Sequence, residues 1–106
     1  MYKPLPKETT IKKSDIEGLG LFATEDIKEN HIFGVSHILD YRFENNYIRT
    51  PLGGFVNHSS EPNCVLLKMS AIQGGFSLSA KRNISKGEEL TTKYSLYEIE
   101  EADEKD

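Results

Sequence analysis

The sequence predicts a mainly β domain, and three observations carry that prediction. Short apolar runs are separated by turn residues roughly every eight to twelve positions, the pattern of many short strands. Two of those runs flank Gln73-Gly74-Gly75, a hairpin signature. A helical signal is confined to the end of the chain, where Ser95 precedes Glu98 by three residues.

Taken in order, Thr9 to Lys13 reads as a first strand and Gly20 to Ala23 as a second. His31 to Ile38 is a longer strand, with His31, Phe33, Val35 and His37 on one face and Ile32, Gly34, Ser36 and Ile38 on the other. Val65 to Ile72 and Phe76 to Ala80 form the hairpin, in which Phe76, Leu78 and Ala80 alternate against Ser77, Ser79 and Lys81. Ser95 and Glu98 have the form of a capping box, so a short C-terminal helix starts there and runs into an acidic tail.

One internal echo is visible. ATEDIKEN (23–30) and AKRNISKG (80–87) share an Ala, an Asp or Asn before an Ile, and a final Asn or Gly. Asn30 and Gly87 are residue types that tolerate a left-handed backbone, so the two copies predict the same turn leading into a strand, in units that face each other.

Composition bounds the function. A chain of 106 residues is long enough for one modest core. Residues 1–8 are an N-terminal extension, 9–97 the domain and 98–106 the acidic tail. The net charge of −4 is concentrated in EIEEADEKD (98–106), and a body this close to neutral argues against nucleic acid as a direct partner. No apolar run is long enough to span a membrane, and MYKPLPKETTIKK has no apolar segment of the secretory kind. An intracellular, cytoplasmic protein is therefore expected, or one in the host nucleus if the source is a virus. The lone Cys64 cannot form an internal disulfide or supply a multi-cysteine zinc site, and no metal is expected.

GLGLFA (18–23) formally fits a dinucleotide-binding fingerprint, with Asp40 beyond it. That motif needs a helix starting in the loop to hold a pyrophosphate, and residues 24–30 read as a turn. The glycines instead offer backbone that another strand or a ligand can approach closely.

GGFVNHSSEPNCVL (53–66) sets a polar knot between apolar runs. Together, GLGLFA (18–23), FVNHSSEPNC (55–64) and AKRNISKGEELTTKY (80–94) resemble, in order and spacing, the characteristic segments of the SET domain, the fold of S-adenosylmethionine-dependent protein lysine methyltransferases. The resemblance covers about residues 9 to 97, and in size it is to the minimal viral and bacterial members, which lack zinc-binding flanks.

The resemblance implies a β-clip of short curved sheets with a C-terminal pseudoknot that ties the NHS segment to the strand before Tyr94. It implies that the Asn57 side chain receives the amino group of the methionine moiety and that the His58 backbone meets the adenine edge. The backbone at Leu19 and Gly20 lines the cofactor from the other side, and Tyr97 or Leu96 packs where a longer flank usually does. Tyr94 is the expected catalytic residue, orienting methyl group and amine. Tyr47, Phe76 and Thr92 are expected around the lysine channel, Thr92 where many members carry an aromatic residue. The partner implied is a lysine-bearing basic protein or peptide, and a homodimer could complete so short a channel.

The chemistry is within reach of these residues. Lysine is protonated at neutral pH, and burial in an apolar channel beside a sulfonium disfavours the ammonium form. No strong base is then required, and alignment alone can contribute on the order of 7 to 11 kcal/mol.

Competing readings remain at this point. Tyr94 could be a core aromatic, and Tyr47 and Phe76 plain core. His58 and Cys64 could be a nucleophile and base, or metal ligands with His31 or His37, although a lone Cys is usually small core filling. Of Glu88 and Glu89, which point to opposite faces of a strand, one is expected in the knot and one in solvent. A SET-like module that binds a basic peptide or the cofactor without turnover is the alternative function.

Overall fold

The computed structural model describes residues 4–43, 46–70 and 74–93. Two small sheets and one helical turn follow in the order β1 (Thr9–Lys13), β2 (Leu19–Ala23), β3 (Ile32–Leu39), β4 (Tyr47–Arg49), α1 (Pro51–Phe55), β5 (Asn57–His58), β6 (Cys64–Lys68), β7 (Phe76–Ala80) and β8 (Glu89–Thr92). The mainly β expectation holds. The predicted helix at Ser95 and the acidic tail lie outside the described residues.

The first sheet has the order β1-β2-β8-β5. β1 and β2 form an antiparallel hairpin with Thr9 opposite Ala23 and Lys13 opposite Leu19, and the Ser14 N–H closes its turn on the Gly18 carbonyl at 2.7 Å. β8 runs antiparallel to β2, and β5 then adds to β8 in parallel, Asn57 opposite Thr91 and His58 opposite Thr92. That parallel pairing is the tie between the NHS segment and the late strand.

The second sheet has the order β4-β3-β7-β6. Its β6-β7 pair is the expected hairpin, but β6 covers Cys64–Lys68 where Val65 to Ile72 was expected. The Met69 N–H still bonds to Gly75 O in the same register, and residues 71–73 of the expected strand and turn lie outside the described residues. The strict alternation expected of β3 also fails. Register shifts against β7 between Ile32 and Gly34 and between Val35 and His37 insert extra residues, and Phe33, Ser36 and His37 are all buried. Bulges of this kind reset which side chain faces the core. On β7 both the apolar and the serine faces are buried, because the strand is central to its sheet.

The echoed segments do face each other. Ile27 and Ile84 exchange N–H···O bonds of 2.8 Å in both directions, the Asn30 N–H bonds to Ala80 O, and the Gly87 N–H bonds to Ala23 O. Side chains repeat the symmetry: Asp26 Oδ1 accepts from the Lys86 N–H and Asn83 Oδ1 from the Glu29 N–H. Asn30 and Gly87 have φ of 74° and 92°, the left-handed backbone that the two sequences predicted.

One core serves both sheets. Leu21 and Leu90 of the first, Leu66, Phe76 and Leu78 of the second, Ile27 and Ile84 of the paired turns, and Leu52 and Val56 around α1 form one cluster. α1 was not foreseen. Pro51 at its first turn pre-sets the backbone, and burial of Leu52 holds it despite Gly53-Gly54. Residues of the N-terminal extension pack on the body: Leu5 lies against the core, Thr24 bonds to the carbonyls of Lys7 and Glu8, and Glu8 meets His31 Nε2 at 2.6 Å.

Candidate functional site

The turn between β1 and β2, strand β5 and strand β8 converge on one polar cluster. Asn57, at the start of β5, aims its Nδ2 at four acceptors: Glu89 Oε2 at 2.8 Å, Ser14 Oγ at 3.1 Å, Glu17 O at 3.1 Å and Leu19 O at 3.3 Å. Ser14 donates its hydroxyl to the Glu89 carboxylate, at 2.8 and 2.9 Å from its two oxygens, and accepts from the N–H groups of Ile16 and Glu17. Only the NH₂ end of the Asn57 amide can face such a set, so its orientation follows from the network. Among the described residues no hydrogen bond reaches Asn57 Oδ1, which leaves that end of the amide as an acceptor.

Gly20 is buried against this cluster. A Cβ there would lie 2.2 Å from Glu89 Oε2 and 3.1 Å from Asn57 Nδ2, so the glycine makes room for the carboxylate. Leu19 beside it is 52% exposed, with its side chain turned outward while its carbonyl enters the network.

The second Asn of the polar knot has a different task. Asn63 Oδ1 accepts from the Thr91 N–H at 2.9 Å, its Nδ2 donates to Glu89 O at 2.8 Å, and its own N–H reaches Thr91 Oγ1. Its side chain replaces a peptide unit along β8, where a loop rather than a strand runs alongside. The two asparagines of the polar knot thus divide the work: Asn57 lies in the polar cluster and Asn63 fastens the strand that carries Glu89.

The expected residues are placed as follows. Asn57, Gly20 and Leu19 come together, and exposed His58 follows Asn57 on β5, opposite fully buried Thr92. Tyr94 and Tyr97 lie outside the described residues. Tyr47 and Phe76 meet in an aromatic cluster with His37: ring centroids are 5.8 Å apart for Tyr47 and Phe76, and 6.2 and 6.3 Å from His37. His37 is fully buried; its Nδ1 meets Ser36 Oγ at 2.9 Å, and among the described residues its Nε2 has no hydrogen-bond partner. Burial, reinforced by the Arg49 charge, lowers its pKa to about 4.

The competing chemistry does not assemble. Cys64 is buried on β6, and burial raises its thiol to about 12, so no thiolate is available. Among the described residues no three His, Cys, Asp or Glu side chains gather to hold a metal ion. Both glutamates are half-buried: Glu88 is bonded to Arg82 and the Ser85 N–H, while Glu89 enters the knot. An apolar groove of about 490 Å³ beside Leu5, Pro6, Gly34, Val35 and Leu52 holds no titratable side chain and none of the expected site residues. No helix among the described residues is long and apolar enough to cross a membrane.

Sequence reasoning missed Ser14 and gave Asn63 no role. The local signal of Ser14 is only that of a turn serine bonded to Ile16 and Glu17, since its partners in the site, Asn57 and Glu89, are 43 and 75 positions away. Asn63 follows a proline and precedes a strand, a place where a side chain commonly substitutes for a backbone partner.

Comparison with known proteins agrees with this geometry. The SET domain family matches residues 35–95. A histone-lysine N-methyltransferase of Mycosarcoma maydis, H3 lysine-36 specific, is 32% identical over 118 positions, covering 84% of this chain but 12% of that protein. The chain thus spans a small fraction of that relative's length. The crystal structure of a Plasmodium falciparum protein, titled a candidate histone methyltransferase, superposes with a TM-score of 0.64 at 26% identity, covering 87% of this chain and 96% of that one. The methyltransferase domain of human PR domain-containing protein 2 gives a TM-score of 0.66 at 19% identity, covering 86% and 79%, and shares the fold. On the family match and the shared architecture, the chain belongs to the SET domain family.

Proposed function

We propose that the chain is a protein lysine N-methyltransferase that uses S-adenosylmethionine as its methyl donor. The observation that carries this reading is the oriented Asn57 amide: four acceptors surround its NH₂ end and share its two hydrogens, which leaves Oδ1 to accept from a ligand ammonium. The methionine moiety of the donor offers such an ammonium, and when bound the donor supplies an electrophilic methyl carbon on a sulfonium.

The chain's own residues supply binding, orientation and a dry environment. The cluster of Tyr47, Phe76 and His37 is the wall we assign to the lysine channel. Its environment penalises positive charge strongly enough to hold the His37 pKa at about 4, and a lysine amine entering it is favoured as the neutral nucleophile for the same reason. With its pKa at about 4 the His37 imidazole is too weak a base to hold the amine's proton, which passes to solvent before transfer, so the enzyme works by desolvation and alignment. Tyr94 takes the role of orienting methyl group and amine. The substrate class is a lysine in a protein segment.

Titration calorimetry with S-adenosylmethionine and its demethylated product tests the reading. Saturable binding by wild type, lost in folded Asn57→Ala, is the expected result. No binding to a folded wild type would leave a SET scaffold without the chemistry.

A further inference from the structure

We infer that Glu89 and Ser14 are positioning residues that decide which end of the Asn57 amide faces the ligand. The inference rests on the donor-binding reading above and extends it to Ser14, outside the three family-like segments, and to Glu89, within the third.

An asparagine amide is nearly symmetric in shape, and its two orientations differ only in what surrounds them. At this site a flip would replace Nδ2 by Oδ1 against the Glu89 carboxylate, the carbonyls of Glu17 and Leu19, and the Ser14 oxygen. It would also turn the NH₂ group toward the ligand ammonium. An ionised carboxylate has acceptors alone, so it can only meet the NH₂ end, and its charge makes that hydrogen bond roughly twice as strong as a neutral one. A carboxamide in its place could present its own NH₂ to Asn57 Oδ1 and so accommodate the flipped form.

Ser14 fixes the carboxylate in turn. Its hydroxyl bridges both Glu89 oxygens, while the Ile16 and Glu17 N–H groups fix the hydroxyl oxygen from behind. Gly20 closes the remaining side, leaving no space for Glu89 to move toward β2. The chain of command runs from the β1-β2 turn through Ser14 and Glu89 to Asn57.

The test compares two ligands in the full chain: S-adenosylhomocysteine and its analogue lacking the α-amino group. Glu89→Gln should weaken the amino-bearing ligand about tenfold while changing the analogue less than twofold, and Ser14→Ala should act in the same direction with a smaller effect. Ser14→Ala, which removes one oxygen at a turn, keeps the test valid should Glu89→Gln fail to fold. In the ligand-free protein the Asn57 side-chain amide resonances should move in both variants. Equal loss of both ligands would mark a general structural role and overturn the inference, as would wild-type affinity for both. A wild type that binds neither ligand removes the donor-binding reading itself, and the inference with it.

Discussion

Asn63 and Thr91 are tied by two crossed bonds, the Asn63 side-chain Oδ1 accepting from the Thr91 backbone N–H and the Thr91 side-chain Oγ1 accepting from the Asn63 backbone N–H. Both residues are buried, and the same amide satisfies Glu89 O. Asn63→Ala strands these groups on the strand that presents Glu89. A loss of about 2 to 4 kcal/mol is expected in the denaturant unfolding free energy. A loss under about 0.5 kcal/mol would show that water replaces the side chain at no cost.

Gly20→Ala tests the close packing of the cluster. The added carbon would meet Glu89 Oε2 at 2.2 Å, so the carboxylate must move and release Asn57. Affinity for S-adenosylhomocysteine should fall about tenfold or more by calorimetry. Gly54→Ala, where nothing lies within 4 Å of the new carbon, is the matched control and should bind as wild type does.

His37 makes the fold sensitive to acid. Its pKa is about 4 in the folded protein, against about 6.5 in an unfolded chain. Between those values the unfolded chain binds a proton that the folded chain refuses, so stability falls as pH drops from about 6.5 to about 4 and then levels off, by up to about 3 kcal/mol. Denaturant midpoints at pH 7 and pH 4.5 should diverge more in wild type than in His37→Gln. Equal slopes would refute the assignment.

Cys64 reports on unfolding. Its thiol is buried and held near 12, so a disulfide reagent at pH 8 should label the native protein no faster than global opening allows. Rapid stoichiometric labelling of folded protein would contradict the packing of β6 against β7.

Tyr94→Phe addresses turnover apart from binding. Methyl transfer to a lysine peptide should drop by about a hundredfold with donor affinity retained, in line with removal of one transition-state contact. Unchanged transfer would exclude the hydroxyl from the reaction.

Much of this architecture can be read from the chain, and the exceptions have physical causes. β1 and β7 run where the alternation places them, from Thr9 to Lys13 and from Phe76 to Ala80. The paired turns are legible because two left-handed positions, Asn30 and Gly87, recur in matching context. The bulges of β3 are not, since an inserted residue changes which face is buried without changing composition. α1 is a single turn holding two glycines, too short for a helical period and contrary to its propensities. Asn57 stands out in its motif, whereas Ser14 acquires meaning only when the fold carries Glu89 to it.

β8 occupies the middle of the first sheet, between β2 and β5, although it follows every other described strand along the chain. A ribosome therefore delivers both neighbours before the strand that joins them. Until residues 89–92 emerge, β2 carries a bare hydrogen-bonding edge and the Asn57 amide has no carboxylate to set it. A chain that ends short of residue 89 therefore lacks both the strand that covers the β2 edge and the carboxylate that meets the Asn57 amide.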